Sequence, residues 1–156
     1  MRADRELRAE TRLAATTAEV WAVVSDVRRM AELSPELVAM IALKPGGLRR
    51  GQWYLGINRR GYVVWPTRNV VVDVEPGRLL AWDTPSSGAR WVWELYPQPA
   101  GTLVVHRRPV PRRITLLTRV FAGAFLGGAA KHSDDLERDM ALSVARLEAV
   151  VAARAA

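Results

Sequence analysis

Six tryptophans are the most unusual chemical feature of this 156-residue sequence. Flat indole rings supply apolar area, and their N–H groups can fix the orientation of a bound ligand. They are Trp21, Trp53, Trp65, Trp82, Trp91 and Trp93. All of them except Trp21 lie in segments that alternation predicts as strands. The residues alone leave two interpretations open, an aromatic cavity wall and ordinary core packing.

Alternation of side chains along a strand predicts which residues share a face. If the sheet and the long helix enclose a cavity, these faces predict that the strand tryptophans and their neighbours line it together with two helical phenylalanines. The predicted wall consists of Trp53, Leu55, Ile57, Trp65, Trp91, Trp93, Leu95, Phe121 and Phe125. Arg90, Glu94, His106 and Arg108 are then predicted on the outer face.

Polar groups inside such a cavity are harder to place from the sequence. Arg68 follows Pro66, where the face assignment can change, and it is the predicted inward anchor. An enzyme would also need an acid or base with a perturbed pKa, for which Tyr54, Tyr62 and Asp73 are the candidates. None of them stands out, so the catalytic residues stay unknown.

Metal, cofactor and hydrolase chemistry have little support. The sequence has no cysteine and only two histidines, His106 and His132, without an acidic residue at ligand spacing. His132 is predicted near the start of a helix that Ser133 caps. The sequence also lacks a nucleophile elbow, a dinucleotide fingerprint and a phosphate-binding loop. We therefore expect no metal and no cofactor.

The formal net charge of +7 raises the question of an anionic partner. The arginines occur as scattered pairs and not as one basic stripe, which favours a solvated surface, and a nucleic-acid partner is not expected. The segment from Ile114 to Ala130 is too short to span a membrane and contains Arg119. We expect one cytoplasmic domain over residues 1–156, from a GC-rich bacterial genome, as a monomer or a homodimer.

The elements that must position these residues follow from periodicity and turns. Alternation predicts a first strand from Glu6 to Ala14, and a capping box at Thr16 and Glu19 predicts a helix that is either continuous or broken near Ser25. Six further strands follow, separated by Gly- and Pro-containing turns: Glu36 to Leu43, Gln52 to Asn58, Gly61 to Val74, Arg78 to Asp83, Ala89 to Tyr96 and Thr102 to Val110.

A long amphipathic helix is predicted after Pro111. Its apolar face contains Leu136, Met140, Val144, Leu147 and Val151, at spacings of three and four residues. The pair Gly127-Gly128 is predicted to weaken it.

This pattern resembles the SRPBCC (START/Bet v 1-like) superfamily, in particular its polyketide cyclase/dehydrase and lipid-transport-like branch. The resemblance is carried by four segments: Thr17-Ala18-Glu19-Val20-Trp21 with Val27, Glu75-Pro76-Gly77-Arg78-Leu79-Leu80-Ala81-Trp82, Trp93-Glu94-Leu95-Tyr96-Pro97 before Gly101-Thr102, and Val144-Ala145-Arg146-Leu147. It implies an α+β helix-grip fold, in which a curved antiparallel sheet of about seven strands wraps around a long C-terminal helix, with a short helical insertion after the first strand.

The resemblance also implies a cavity, and with it binding or carriage of a small hydrophobic ligand such as a lipid, a sterol or a polyketide. Two alternatives stay open: a cyclase/dehydratase acting on a polyketide-like substrate, and an interaction module that uses the basic surface. A fold alone does not choose among them.

Overall fold

The computed structural model describes residues 5–111, 116–126 and 129–156, with the side chains of 117–119, 122, 129, 130 and 133 excepted. In chain order the elements are β1 (Leu7–Leu13), α1 (Thr17–Val24), a 3-10 helix (Val27–Glu32), β2 (Leu37–Ala42), β3 (Trp53–Arg60), β4 (Val63–Glu75), β5 (Leu79–Thr84), β6 (Ala89–Gln98), β7 (Gly101–Arg108), α2 (Leu116–Phe125) and α3 (Ala129–Ala155).

The seven strands form one antiparallel sheet in the order β1-β7-β6-β5-β4-β3-β2. Strands β2 to β7 are a meander, in which short turns join the strands from β3 onward and the longer segment 43–52 joins β2 to β3. One such turn lies between β4 and β5, where Gly77 adopts φ +76°, a conformation that other residues rarely take. The predicted α+β architecture is confirmed, and each predicted strand lies within a few residues of an observed one.

The insertion after β1 consists of two short helices. The Thr16 hydroxyl accepts a hydrogen bond from the backbone N–H of Glu19 at 3.2 Å, and the Glu19 carboxylate accepts from the backbone N–H of Thr16 at 2.7 Å. This reciprocal pair is the predicted capping box, and it starts α1. The chain then breaks at Ser25, whose hydroxyl donates to the carbonyl of Trp21.

Proline in β4 lies where the sheet has a local edge. Pro66 pairs with Ile57 of β3, but β5 pairs with β4 only from Val70 onward. A residue without an N–H is tolerated there, because no neighbouring strand needs its hydrogen bond. A register shift between Val71 and Asp73 marks a bulge further along the same strand.

Helix α3 packs against β1, β7 and α1. Its predicted apolar face is confirmed, because Leu136, Met140, Val144, Leu147 and Val151 are all buried. Burying an aliphatic side chain of this size contributes about 1.5–3 kcal/mol, so this face holds the helix on the sheet. The predicted weak point at Gly127-Gly128 lies outside the described residues, between α2 and α3.

Candidate functional site

A cavity of about 400 Å³ lies between the inner face of the sheet and the helices. Strands β2 to β7 form its floor, and the 3-10 helix, α2 and α3 form its sides. Its wall is mainly apolar and includes four of the six tryptophans, together with Met30, Leu33, Leu37, Met40, Phe121, Leu126, Leu136 and Met140.

Two cross-strand pairs form the most ordered part of this wall. Trp91 of β6 lies opposite Arg108 of β7 next to the Trp93–His106 pair, as the β6–β7 register places them. The His106 ring stacks on Trp93 with 3.8 Å between ring centroids and on Trp91 with 5.8 Å. The Arg108 guanidinium carbon lies 5.2 Å from the centroid of Trp91. The result is a stack of three aromatic rings with a cation next to Trp91.

Arg108 is 5% exposed and lines the cavity. Its Nε and Nη1 atoms are buried and have no hydrogen-bond partner among the described residues. Burial lowers the pKa of Arg108 to about 10, while the nearby charge of Glu36 acts in the opposite direction. Arg108 therefore stays a cation at neutral pH, with donors that the fold leaves unpaired.

His106 is fully neutral at physiological pH. Burial lowers the pKa of its imidazole to about 4. Its Nδ1 lies 3.0 Å from the carbonyl oxygen of Val92, and because a carbonyl only accepts, Nδ1 must carry the proton. The remaining ring nitrogen, Nε2, is then an acceptor, so β7 presents both an acceptor and a cation on its inner face.

A cluster of polar side chains, which we call the second polar group, connects the sheet to α3 across the cavity. The Arg60 guanidinium donates to Glu36 at 3.3 Å and also to Asp139 of α3. Burial raises the pKa of Glu36 to about 7, and the charge of Arg60 opposes this shift. Glu36 can therefore exchange a proton near neutral pH, which is the property that general acid–base chemistry needs.

His132 of α3 completes this polar group without forming an ion pair. Burial, together with the charges of Arg60 and Arg108, lowers the pKa of His132 to about 4. Its Nε2 lies 3.7 Å from a Glu36 oxygen, too far for a hydrogen bond, and the neutral ring carries no charge to attract the carboxylate. This ring is a polar wall residue next to Trp65, at 6.1 Å between centroids.

A neutral polar ladder occupies another part of the wall. Thr84 donates to the Asn69 side-chain oxygen at 2.7 Å, and Asn58 donates to the Thr67 hydroxyl at 3.0 Å. The Asn69 amide also reaches that hydroxyl, at 3.3 Å. The ladder presents amide and hydroxyl groups to the cavity without any charge.

Four residues of the predicted wall do line the cavity: Trp65, Trp91, Trp93 and Phe121. Phe121 contacts Trp65 with 5.5 Å between ring centroids, and this contact joins α2 to the sheet. Their role in binding a ligand stays a prediction.

The predicted face of β3 is wrong. Tyr54, Gly56 and Asn58 point inward, so Trp53, Leu55 and Ile57 lie on the outer face. Apolar residues occur on both faces of this strand, and a shift of the pairing register by one residue would exchange the two faces. Outside the cavity, the Trp53 ring is covered by the ammonium of Lys44 at 4.4 Å and by the guanidinium of Arg68 at 4.9 Å.

The remaining predicted residues also lie away from the wall. Leu95 is buried in the core beyond the cavity, and Phe125 is 62% exposed and packs on Phe121. Arg68 is exposed on the outer face, since β4 does not change its alternation until after Asn69. Tyr54 is buried in the core, where desolvation raises the pKa of its hydroxyl. Asp73 is half-buried next to the bulge and does not reach the cavity.

His106 and Arg108 were expected on the outer face, and that prediction is wrong. Val104 and Val105 are both apolar, so alternation in β7 does not choose a face. The pairing of Trp93 with His106 shows which face of β7 is turned inward, but this pairing is known only once the β6–β7 register is known. Ser133 is not a helix cap, because α3 begins at Ala129.

Sequence reasoning did not assign Glu36, Arg60 or His132 to the site. They come from three distant segments that meet only in the folded chain, and no local motif marks them. Within the described ranges, no cluster of three or more His, Cys, Asp or Glu side chains is arranged to hold a metal. The described helices include none that is long and apolar enough to cross a membrane.

Several of the arginines behind the positive charge are neutralised on the outer face. Arg90 donates to both carboxylate oxygens of Asp83, at 2.7 and 3.1 Å, and Arg107 donates to Glu94 at 2.6 Å. This face of the sheet is therefore less basic than the count of arginines suggests.

Solved structures share this fold at low sequence identity. A Polyketide_cyc-like protein of Corynebacterium glutamicum is 20% identical, with a TM-score of 0.62 over 96% of this chain and 92% of that one. A protein of Thermus thermophilus is 16% identical, with a TM-score of 0.69 over 97% and 100%. The di-domain ARO/CYC StfQ of the steffimycin biosynthetic pathway is 14% identical, with a TM-score of 0.71 over 96% of this chain and 51% of that one.

The match to the ARO/CYC chain agrees with the helix-grip fold that the sequence predicts. No curated protein matches this sequence. The model of one family, described as polyketide cyclase / dehydrase and lipid transport, matches residues 4–152. Because this match spans nearly the whole sequence, the chain belongs to the polyketide cyclase / dehydrase and lipid transport family.

Proposed function

We propose that residues 1–156 form one ligand-binding domain that holds a small, largely apolar molecule in the cavity and carries it. The observation behind this proposal is the cavity of about 400 Å³ with four tryptophans in its wall. Pockets for small molecules measure roughly 300–1,000 Å³ and combine an apolar lining with a few placed polar groups. The wall described above has this composition.

The comparisons support the proposal at the level of the family. Its description names lipid transport beside cyclase and dehydrase activity, so apolar molecules are the shared theme. The identity of the ligand does not follow from a fold.

Cyclase or dehydratase chemistry is the second candidate, and Glu36 is the observation that favours it. A carboxyl group in the wall with a pKa of about 7 can accept and return a proton at neutral pH. Arg108 would stabilise an enolate oxygen that forms during such a reaction. Turnover by this route would follow the titration of Glu36 and would be lost in Glu36→Gln.

The test of the proposed function compares two tryptophans on opposite faces of the sheet. Trp91 lines the cavity, whereas Trp53 lies outside it, and both are half-buried. We expect Trp91→Leu to weaken binding of the neutral fluorophore N-phenyl-1-naphthylamine about tenfold, because ring stacking and apolar contact area are lost. Fluorescence titration of the purified variants measures this difference.

Trp53→Leu is the matched control and should leave the affinity within about twofold of wild type. Equal losses in the two variants, or an unaffected Trp91→Leu, would place the fluorophore outside the cavity and contradict the proposal. Thermal unfolding of both variants shows that each one is folded during the titration.

A further inference from the structure

Arg108 is a buried cation that the protein does not neutralise. None of the ion pairs in the described part of the chain includes this side chain, although it is only 5% exposed. An unpaired buried charge is expensive, and replacement of such a group by an apolar one is often neutral or stabilising. Stability therefore does not explain an arginine at this position.

The nearest acidic groups are engaged elsewhere. Glu36 and Asp139 both accept hydrogen bonds from Arg60, which links β3 to α3. The charge of Glu36 acts on Arg108 only at a distance, and burial keeps this carboxyl group partly protonated at neutral pH. A positive charge with free donors is thus left facing the cavity.

The indole of Trp93 also has a hydrogen-bond donor without a partner in the described part of the chain. Its Nε1–H is buried and has no acceptor among the described residues, and Trp93 also lines the cavity. Arginine and tryptophan side chains only donate hydrogen bonds. In this part of the wall the donors therefore outnumber the one acceptor among the described side chains, His106 Nε2, so an occupant that supplies acceptors fits it.

The shape next to Arg108 restricts that occupant further. The rings of Trp91, His106 and Trp93 are nearly parallel and stack on one another, and the guanidinium lies next to Trp91. The planar rings of a ligand pack well against such a stack, and a guanidinium binds a carboxylate through two parallel hydrogen bonds.

We infer that the ligand is an aromatic carboxylic acid whose carboxylate binds the Arg108 guanidinium while its rings lie against Trp91, His106 and Trp93. This inference rests on the proposed function, because it identifies the class of ligand for the same cavity. It assigns Arg108 the role of the selectivity residue.

The experiment compares 2-naphthoate with 2-naphthamide, which share their rings and differ in the charge of one group. Calorimetric titration at pH 6 keeps the naphthoate ionised. We expect wild-type protein to bind the acid about 10- to 100-fold more tightly than the amide, as charge-assisted hydrogen bonds do. In Arg108→Met the two affinities should agree within about threefold.

Arg68→Met is the matched control, since it removes an arginine that is exposed on the outer face of the sheet. It should keep the preference for the acid. Arg108→Gln provides a second neutral variant, and the wild-type comparison of acid and amide requires no variant at all.

The outcomes separate the two proposals. If both naphthalenes bind wild-type protein equally, or if Arg108→Met keeps the preference for the acid, the inference is overturned and the proposed function stands. If neither compound binds but N-phenyl-1-naphthylamine does, the inference is overturned and the proposed function stands. If none of the three binds to the folded wild-type protein, the proposed function fails, and the inference fails with it.

Discussion

Buried polar residues distinguish this cavity from a plain apolar core. His106, Arg108 and Thr84 lie at positions where ordinary packing would place aliphatic side chains, and each is less than a tenth exposed. Leaving a buried donor unpaired costs about 1–3 kcal/mol, so such groups persist where they serve binding or chemistry. At the scale of single residues, the site is a short list of placed polar groups on an aromatic wall.

Glu36 gives the stability of the protein a measurable pH dependence. Its pKa is about 7 in the folded chain against 4.5 in the unfolded chain, so the folded state keeps a proton that the unfolded state loses. Raising the pH from 5 to 8 therefore destabilises the fold through this group. Glu36→Gln cannot ionise, and its free energy of unfolding should rise relative to wild type by roughly 2–3 kcal/mol over this range.

Urea unfolding of both proteins at four pH values measures this difference. His106 and His132 are present in both chains, so their opposite pH dependence cancels in the subtraction. A constant difference for Glu36→Gln would mean that Glu36 titrates as an ordinary surface carboxylate.

Residues of the site were the least predictable part of the molecule. Trp65, Trp91, Trp93 and Phe121 could be placed near a cavity because large apolar side chains and alternation carry that information. The charged residues could not be placed. Glu36, Arg60 and His132 meet only through the tertiary fold, and Arg108 needs the register of two strands.

At the scale of elements, strands and caps were predictable because their signals are local. The capping box at Thr16 and Glu19, the break at Ser25 and the local edge at Pro66 all follow from residue chemistry within a few positions. Face assignment failed in β3 for a physical reason. A strand with apolar residues on both faces is not amphipathic, and only the elements that pack against it decide which face is buried.

Gly56 shows how the elements fit together around the polar ladder. A Cβ atom at this position of β3 would lie 2.7 Å from the Thr67 hydroxyl and 2.9 Å from the Asn69 amide. Both partners are already fixed by hydrogen bonds, so they cannot move away freely. Gly56→Ala should therefore lower the free energy of unfolding by about 1–3 kcal/mol, as overpacking does.

Chemical denaturation measures this loss. The control is Gly123→Ala in α2, where an added Cβ meets nothing within 4 Å. That variant should be neutral or slightly more stable, because alanine favours a helix by up to about 1 kcal/mol over glycine. A Gly56→Ala variant as stable as wild type would show that the ladder adapts and does not fix the shape of the cavity.

At the scale of the whole molecule, the sheet and α3 explain why the family fold supports a cavity. Sheet and helix pack closely on the β1 side, where α3 contacts β1 and β7. On the other side, α3 reaches the sheet through long polar side chains such as Arg60 and Asp139. The space between them is the cavity, and its wall chemistry and not the fold determines what it binds.

The tryptophans allow a direct test of the central claim, which is that the cavity binds a small apolar ligand. Each indole N–H gives its own signal in a ¹H–¹⁵N correlation spectrum, and single substitutions to phenylalanine assign all six. Saturating N-phenyl-1-naphthylamine should shift the signals of the four tryptophans in the cavity wall, Trp65, Trp82, Trp91 and Trp93, and leave Trp21 and Trp53 in place. No shift at saturating ligand, or shifts confined to Trp21 and Trp53, would contradict the claim.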